Sequence, residues 1–413
     1  MKTGTDFLVN AKPRENKKYT ITIILLCIGY FIDFYDLTIF SASYVSVFRD
    51  LFHINDINQI QRLYLNISSI YTAGIFCGAI LFGILGDKMG RTAMIRFSIL
   101  IYSIAMIASV FATSIPLFTF LRFISGVGLA TEFATSSVLI NELLPTRKAS
   151  YYSSFLYFCG VLGGITATYL GVVSWKLMYL FGGFAGIAVY ILRKKIFESS
   201  IFLNLDSNIS KGNILQIFTN WQNTLKFIRL LILIVPFNFL IVIMFIYPRF
   251  MDIHDDLAIL TRELLTGFFI GNLISTIACN FVVTKFKDFR SFLLLNTLVF
   301  AIIMPVYAYV NKEFYLLYAV VLGLLGGGLP TIWIQVVVRS YGTNIRSTAS
   351  NALFATGRLT AILFNSLISG WLLIPQNFKF NVIYTVAIIV ILVLIAIFTT
   401  KNNYDKNMEY IES

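Results

Sequence analysis

The stretch Gly83-Ile84-Leu85-Gly86-Asp87-Lys88-Met89-Gly90-Arg91 lies between two apolar runs, at about residues 65–85 and 92–110. We predict that it forms a tight, charged hairpin between two membrane helices. Spaced glycines let helix ends approach closely, and Asp87 can pair with Arg91 or with the start of a neighbouring helix. The alternative is a loop whose charges only orient the chain in the membrane. We favour conformational gating, by Gly83, Asp87, Lys88, Gly90 and Arg91.

The composition is typical of an integral membrane protein. Of the 413 residues, 58% are hydrophobic and 13% are charged, and the mean hydropathy is +0.80. Apolar stretches long enough to cross about 30 Å of hydrocarbon recur along most of the chain. They are too long and too continuously apolar for barrel strands, so we predict an all-α polytopic membrane protein. Its twelve transmembrane helices are predicted at about 19–47, 65–86, 92–112, 116–141, 149–173, 175–193, 226–248, 262–283, 290–310, 314–338, 347–373 and 380–400.

The net charge of +12 could indicate a nucleic-acid partner, but its distribution indicates membrane topology instead. With both termini in the cytoplasm, 23 of the 32 Lys and Arg residues fall on cytoplasmic segments and seven on outer loops. This distribution follows the positive-inside rule. We therefore predict a multi-pass protein of the plasma or inner membrane, with both termini cytoplasmic and no nucleic-acid partner. We also expect a monomer.

The residues that build catalytic and metal centres are sparse. The four cysteines fall inside predicted helices at scattered spacings, where they act as small apolar residues. Both histidines fall in predicted outer loops. Because no nucleophile–base pair or metal-ligand cluster is recognisable, we predict neither an enzyme nor a metal site or other cofactor.

A polar segment rich in Lys, Arg and Asn interrupts the hydrophobicity near the middle of the chain. It divides the chain into a predicted N-terminal six-helix bundle (1–195), a central cytoplasmic loop (196–225) and a C-terminal six-helix bundle (226–413). Two such halves would fit alternating access, in which one bundle rocks against the other about a site near mid-membrane.

A weak internal repeat supports this division. A shift of 199 residues lays Gly128 on Gly327. The same shift lays Arg147 on Arg346, and both arginines become candidate gating residues.

The hairpin signature also has a decayed second copy. A shift of 201 residues lays Asp87 on Asp288, in a segment that keeps the charges and lacks the glycines. Asp288 is therefore a further gating candidate.

Five ionisable residues lie deep within predicted helices, where each costs at least ~2.5–3.5 kcal/mol and suggests a function. Asp33 and Asp36 are three residues apart and share one helix face. Mutual repulsion and desolvation both favour the binding of a proton by such a pair. We predict that they are proton-coupling residues, and the alternative is a structural pair satisfied by neighbouring Arg or Tyr side chains.

The other three buried charges are Arg122 and Glu132 in the fourth predicted helix and Arg358 in the eleventh. A guanidinium keeps its charge, so Arg122 needs a partner, and the first-helix aspartates suit it better than Glu132 does. Glu132 lies about 15 Å further along the axis. We predict that Arg122 takes part in proton coupling and that Glu132 lines the substrate cavity. Arg358 either contacts an anionic substrate or locks a helix pair.

Glycines make one side of the fourth and tenth predicted helices small, which permits close helix packing. In the tenth helix, the 199-residue shift places Thr331 opposite Glu132. We predict that the lining of the substrate cavity includes Thr331, Trp333 and Gln335.

These segments together resemble the major facilitator superfamily. The stretch from Gly83 to Arg91 is similar to its loop signature, Gly-x-Leu-x-Asp-Arg/Lys-x-Gly-Arg. The run Arg122-x-x-Ser125-Gly126-x-Gly128-x-Ala130 resembles its second signature, whose arginine is associated with proton coupling. Asp33-Phe34-Tyr35-Asp36 resembles the first-helix acidic element of phosphate:proton, metabolite:proton and aromatic-acid:proton symporters.

Two further elements resemble those families and the sugar porters. They are Glu142-Leu143-Leu144-Pro145-Thr146-Arg147, which adds Glu142 to the gating candidates, and Glu198-Ser199-Ser200-Ile201-Phe202. The resemblance implies a secondary active transporter that moves a small polar or anionic solute by proton symport. Efflux antiport and proton-independent facilitation are the alternatives within transport. A non-transporting sensor of similar fold is a remote one. The expected partners are the solute, the proton and the lipid bilayer.

Overall fold

The fold is known from a computed structural model of the chain. It describes residues 13–170, 174–206, 208–250, 257–307, 309, 312–372 and 378–412. Side chains are described at all of these except 13–17, 242, 244–250, 257–262, 307, 312, 361–372 and 378. The predicted cytoplasmic N-terminus begins outside these residues.

The described chain is helical nearly throughout, as its long apolar stretches predict. The first helices, in chain order, are α1 (Pro13–Phe52), α2 (Ile57–Met89), α3 (Arg91–Ser109), α4 (Ile115–Leu129), α5 (Glu132–Leu143), α6 (Thr146–Leu170), α7 (Trp175–Leu192) and α8 (Ser200–Leu203). They are followed by α9 (Trp221–Ile232), α10 (Val235–Phe250), α11 (Leu257–Phe286), α12 (Phe289–Tyr307), α13 (Tyr315–Gly326), α14 (Gly328–Ser340), α15 (Arg346–Leu372) and α16 (Phe378–Thr399).

Within the described residues, eleven of these segments are long and apolar enough to cross a membrane. Three of the crossings are built from two consecutive helices each, namely α4 with α5, α9 with the start of α10, and α13 with α14. The remaining predicted span, 347–373, coincides with α15, whose side chains beyond residue 360 lie outside the description. The predicted all-α fold class with twelve transmembrane helices is confirmed.

The chain forms two compact units. Unit 1 comprises residues 1–214 together with 341–352 and 407–413, and unit 2 comprises 215–340 and 353–406. The first turns of α15 and the C-terminal residues thus belong with the N-terminal helices. The bundle bounds expected from the sequence stay a prediction.

Glycines set the closest helix contacts in unit 1. Gly74 of α2 lies against the backbone of Phe123 in α4, and Gly126 of α4 lies against the backbone of Tyr71 in α2. A Cβ atom at either glycine would overlap a carbonyl oxygen of the facing helix. Gly126 therefore permits close helix packing in unit 1, as the sequence predicts.

Unit 2 contains the same arrangement between α11 and α13. Gly271 lies against the backbone of Val320, and Gly323 lies against the backbone of Phe268. A shift of 197 residues relates all four positions to those of unit 1, namely Tyr71, Gly74, Phe123 and Gly126. The backbone packing therefore matches the two units at 197 residues and not at the 199 expected from the sequence.

Two of the membrane crossings are broken in the middle, at positions that are also related by the offset of 197 residues. The fourth crossing breaks between Leu129 and Glu132, and the tenth breaks at Gly327. The breaks leave α5 and α14 as separate short helices that are almost completely buried. They place Glu132 at the start of α5, where its carboxylate meets the partially positive N-terminal end of the helix.

Candidate functional site

The interior of unit 1 contains a cluster of buried charges that we call the interior cluster: Asp33, Asp36, Arg122, Glu132 and Arg193. Arg122 of α4 contacts Asp36 of α1, with 3.4 Å between Nη1 and Oδ1. Ser125 donates a hydrogen bond of 2.6 Å to the other carboxylate oxygen of Asp36. Both charged side chains are about 1% exposed. The structure thus brings Arg122 and a first-helix aspartate together as the sequence predicts, and the aspartate is Asp36.

Aromatic rings and a serine enclose the Arg122 guanidinium. Its carbon lies 4.8 Å from the ring centroid of Tyr179 and 5.7 Å from that of Phe118. Its Nη2 donates a hydrogen bond to Ser109. Cation–π contacts and a carboxylate together stabilise a cation that is removed from water.

Glu132 is bound by Arg193, which lies where the predicted span 175–193 meets the polar segment and was not among the candidate site residues. Arg193 follows α7 directly and is fully buried. Its Nη1 donates a 2.9 Å hydrogen bond to Glu132, and its Nη2 contacts the second carboxylate oxygen. Backbone carbonyls of Leu25 and Ile95 accept further bonds from the same guanidinium. The predicted cavity residue Glu132 is therefore held in a two-point ion pair inside unit 1.

Asp33 and Tyr102 lie between the two ion pairs. Asp33 is about 1% exposed on α1, one turn before Asp36. The Tyr102 phenol of α3 is fully buried and lies within electrostatic range of Glu132, Asp33, Arg193 and Asp36. Its hydroxyl has no hydrogen-bond partner among the described residues. The interior cluster and Tyr102 together comprise three carboxyl groups, two guanidiniums and one phenol.

The hairpin between α2 and α3 builds a second group of buried charges, which we call the loop cluster: Asp87, Arg91, Glu142 and Arg346. Asp87 accepts hydrogen bonds from the backbone amides of Ser347 at 3.0 Å and Thr348 at 2.7 Å. The Thr348 hydroxyl donates a further bond. These amides belong to the first turn of α15, where the helix dipole favours an anion. Asp87 therefore caps another helix, as the sequence allowed.

Glu142 joins the two arginines of the loop cluster. Its Oε1 lies 3.2 Å from Nη2 of Arg91 and 2.7 Å from Nη1 of Arg346. Arg91 also lies 3.4 Å from Asp87. All four side chains are fully buried in unit 1. The network unites four of the predicted gating residues, including Glu142, which the family resemblance suggested.

Two different structural requirements explain the glycines of the hairpin. Gly83 and Gly86 allow the start of α15 to approach, at Thr348 and Ser347. Gly90 has φ 106°, a conformation that favours glycine. The Glu198 carboxylate lies beside Gly90 and accepts two 3.0 Å hydrogen bonds from the first turn of α3.

Besides the two glycines, three charged gating candidates lie outside the loop cluster. Lys88 and Arg147 are exposed side chains on the surface of unit 1. Asp288 belongs to unit 2, where it precedes α12 and accepts a 2.9 Å hydrogen bond from the Arg290 amide. Asp288 therefore caps its own helix, and its position differs from that of Asp87.

The predicted cavity residues of unit 2 form two groups. The Trp333 ring of α14 lies 6.4 Å from the Phe354 ring of α15 in a tilted arrangement, measured between ring centroids. The Arg358 guanidinium lies 4.5 Å from the centroid of the same Phe354 ring. One guanidinium nitrogen of Arg358 is buried with no hydrogen-bond partner in the described part of the chain. Thr331 and Gln335 lie on the opposite face of α14 from Trp333.

Thr331 and Gln335 are fully buried. The amide nitrogen of Gln335 bonds the Thr331 carbonyl at 3.3 Å. The Thr331 hydroxyl and the Gln335 side-chain oxygen have no hydrogen-bond partner among the described residues. Within those residues there is no group of three or more His, Cys, Asp or Glu side chains that could hold a metal ion.

Membrane-spanning helices that hold buried ion pairs and glycine-mediated close contacts are typical of polytopic membrane transporters. The sequence profile of the Major Facilitator Superfamily matches residues 26–256, more than half of the chain. The chain belongs to this superfamily, and it is a membrane transporter and not an enzyme.

Named relatives agree with this assignment. A protein of Haemophilus influenzae named for metabolite transport is 26% identical over 340 residues, covering 79% of this chain and 83% of the relative. The sialic acid transporter NanX of Escherichia coli is 25% identical over 300 residues, with coverages of 70% and 74%. The niacin transporter NiaP of Acinetobacter baylyi is 31% identical over 153 residues, covering 36% and 34%.

Two solved structures share the fold. The proton:xylose symporter XylE, bound to 6-bromo-6-deoxy-D-glucose, matches with a TM-score of 0.78 and 17% identity, covering 96% of this chain and 98% of that one. The human organic anion transporter MFSD10 matches with a TM-score of 0.72 and 12% identity, covering 93% and 99%. At these identities the likeness concerns the fold alone.

Proposed function

We propose that this transporter imports a small polar or anionic metabolite together with a proton by alternating access. The observation that carries the proposal is the buried contact of Asp36 with Arg122 and Ser125. A carboxylate inside a membrane helix is rare unless it serves function. Relatives named for sialic acid and niacin transport, and a proton:xylose symporter of the same fold, support the reading.

Protonation of Asp36 would change the contacts of Arg122. A neutral carboxyl group no longer balances the guanidinium charge, so the ion pair between α1 and α4 weakens. The contacts of Arg122 with Phe118, Tyr179 and Ser109 do not depend on that charge and remain. Proton binding at Asp36 thereby becomes a change in helix contacts, which is what coupling to a conformational cycle requires.

The remaining members of the interior cluster supply a proton path. The Glu132 carboxylate lies beside Gly29 of α1, and Asp33 and Asp36 follow on the same helix. Asp36 lies seven residues after Gly29, which is about 10 Å along the helix axis. The buried phenol of Tyr102 lies within electrostatic range of all three carboxyl groups. We assign Asp33 and Asp36 to proton binding and Glu132, with Arg193, to the far end of this path.

Arg358 provides the reason to expect an anionic or polar solute. Its guanidinium rests on Phe354 and has a buried nitrogen without a hydrogen-bond partner among the described residues. A cation in such a position favours a carboxylate or another oxyanion, which can accept two parallel hydrogen bonds. The Trp333 ring, 6.4 Å from the same Phe354 ring, adds an apolar neighbour. We include Thr331 and Gln335 in the cavity because each has a buried polar atom left to bond.

The loop cluster is proposed as the gate on the cytoplasmic side. Asp87 and its partners hold the first turn of α15 within unit 1. Breaking this network would release that turn. The assignment places the hairpin and both chain termini in the cytoplasm, in a plasma or inner membrane, as the charge distribution predicts.

Uptake into proteoliposomes under an imposed pH gradient tests the proposal. Radiolabelled phosphate, benzoate, nicotinate, sialic acid, an amino acid mixture and xylose are the probes, with the unmodified protein and the Asp36→Asn variant. We expect uptake of at least one probe that needs the inward proton gradient and falls at least about tenfold in Asp36→Asn, whereas exchange of the same solute persists. Asp206→Asn, an exposed change in the central loop, is the matched control and should leave uptake unchanged.

The same assay separates the alternatives. A facilitator would keep net flux in Asp36→Asn and ignore the gradient. An efflux antiporter would require the opposite gradient. Proton-independent flux of every transported probe would remove the symport proposal and leave the membership in the superfamily intact.

Arg358→Gln and Arg358→Lys test the solute class. We expect Arg358→Gln to weaken binding of the transported anion by about tenfold, since one charge-assisted bond contributes about 1.5–3 kcal/mol. Arg358→Lys should retain part of that binding because the positive charge remains. Equal behaviour of both variants and the unmodified protein would assign Arg358 to helix locking, the alternative that the sequence left open.

A further inference from the structure

The C-terminal residues form a short segment, Met408–Glu412, that we call the C-terminal strap. It lies in unit 1, against the loop that precedes α15. Its residues alternate in exposure, with residues 408, 410 and 412 turned inward and 409 and 411 exposed. This alternation is that of an extended segment pressed on one side against the protein.

Hydrogen bonds join the strap to the loop at 342–344 along its whole length. The Thr343 amide donates to the Tyr410 carbonyl at 2.8 Å, and the Gly342 amide donates to the Glu412 carboxylate at 3.0 Å. The Asn344 side chain binds both backbone groups of Glu412, at 2.9 and 3.0 Å. Thr343 and Asn344 are each about 1% exposed in consequence.

The strap also contacts the loop cluster directly. Nη2 of Arg346 donates a 2.6 Å hydrogen bond to the Met408 carbonyl, while its Nη1 binds Glu142. The Arg346 guanidinium also lies 5.9 Å from the ring centroid of Tyr410. A guanidinium has five donors and keeps its charge, so a buried one depends on each acceptor that it finds. Burial raises the pKa of the Tyr410 phenol, which stays uncharged beside the arginine.

We propose that the C-terminal strap positions Arg346 and the first turn of α15, and so controls how readily the loop cluster opens. Among the described residues, the strap contacts Arg346, a proposed gating residue of unit 1, through the Met408 carbonyl and the Tyr410 ring. Its removal uncovers the loop at 342–344 and deprives Arg346 of one acceptor. The proposal rests on the gating role proposed above for the loop cluster.

Hydrogen–deuterium exchange of the purified full-length protein in nanodiscs tests the strap without a known solute. The readout is the exchange rate of the Ser347 and Thr348 amides, which Asp87 binds. Exchange of such amides reports local opening. We expect a stop codon after Asn407 to raise this rate about tenfold, and Glu412→Ala to raise it by a smaller factor.

Two matched variants keep the test specific. Glu412→Gln retains an oxygen that can accept from the Gly342 amide and should restore the protection lost in Glu412→Ala. Glu409→Ala changes an exposed neighbour that faces away from the loop and should have no effect. If the truncated protein exchanges faster only because its structure is damaged in general, Glu412→Gln and Glu412→Ala should show the same exchange rate.

Asp87→Asn separates the two proposals. If Asp87→Asn accelerates exchange at 347–348 and removal of the strap does not, the strap has no positioning role and the loop cluster keeps its own. If neither change accelerates exchange, the loop cluster does not hold α15 and both proposals fail. Faster exchange in both, with loss of gradient-driven uptake only in Asp87→Asn, would limit the strap to a structural contact.

Discussion

The hairpin between α2 and α3 and the hairpin between α11 and α12 occupy matching places in the two units, yet they hold their charges differently. α2 ends at Met89 and α11 at Phe286, and each is followed by a residue with positive φ, Gly90 at 106° and Lys287 at 51°. Both pairs of positions obey the offset of 197 residues, as do the four positions of the glycine contacts described above.

By that offset the counterpart of Asp87 is Thr284 and not Asp288. The Thr284 hydroxyl bonds the carbonyl of Asn280 in its own helix. Asp288 lies after the turn, with its side chain 21% exposed, and pairs with the neighbouring Arg290. Asp87 lies before the turn, is fully buried, and binds the start of α15. A carboxylate one turn earlier can reach another helix, whereas one after the turn caps its own.

The largest effect is expected for Asp87→Asn. The Asp87 carboxylate faces two backbone amides and a guanidinium, all of which are donors. An asparagine side chain has one oxygen that accepts and one NH₂ group that donates, so its NH₂ group would face another buried donor. Disruption of a buried ionic contact costs about 3–5 kcal/mol. We expect the thermal midpoint in detergent to fall by several degrees and gradient-driven uptake by at least about tenfold.

Asp288→Asn is the comparison for that measurement. It should leave uptake within about twofold of the unmodified protein. Equal losses in the two variants would mean that the hairpins act alike and that the buried network is not a gate.

A smaller effect is expected from the two turn residues. Gly90→Ala places a Cβ atom at φ 106° and beside the Glu198 carboxylate. Backbone strain of this kind costs about 1–3 kcal/mol. Lys287→Gly removes strain from a residue already at positive φ, and we expect it to be neutral or to stabilise by up to about 1 kcal/mol. The measurement is the free energy of unfolding, by denaturant titration in detergent. We expect it to fall in Gly90→Ala and to stay unchanged or rise in Lys287→Gly.

The smallest effect is expected for Asp288→Ala. The change removes a side-chain cap of α12, which contributes about 1 kcal/mol. Its exposed ion pair with Arg290 adds less than about 1 kcal/mol. Hydrogen exchange should accelerate only in the first turn of α12, and uptake should stay unchanged. A loss of uptake would show that the second hairpin takes part in gating after all.

Hydropathy and charge were enough to predict the fold, since helices must satisfy their backbones inside a membrane. The helix ends differed where polar residues continue a helix beyond the hydrocarbon. The helix α2 begins at Ile57, eight residues before the predicted span. The repeat offset differed because charges and glycines were matched by type, whereas the helices match by backbone contact.

The site was predictable in part. Two acids in one helix and an arginine in another predicted a buried pair, but the sequence could not decide between Asp33 and Asp36. Arg193 was missed because Lys194 and Lys195 follow it and suggest a solvated loop. Its spacing could have indicated burial, since Gly186, Val189 and Arg193 lie on one buried face of the helix.

Because exposure alternates along the C-terminal strap, the number of residues in the strap decides which side chains face the protein. Side chains in an extended segment change sides with every residue. One residue inserted between Met408 and Glu409 would turn Tyr410 and Glu412 toward solvent and carry Glu409 and Ile411 inward in their place. The strap therefore depends on the spacing of its residues as well as on their identity.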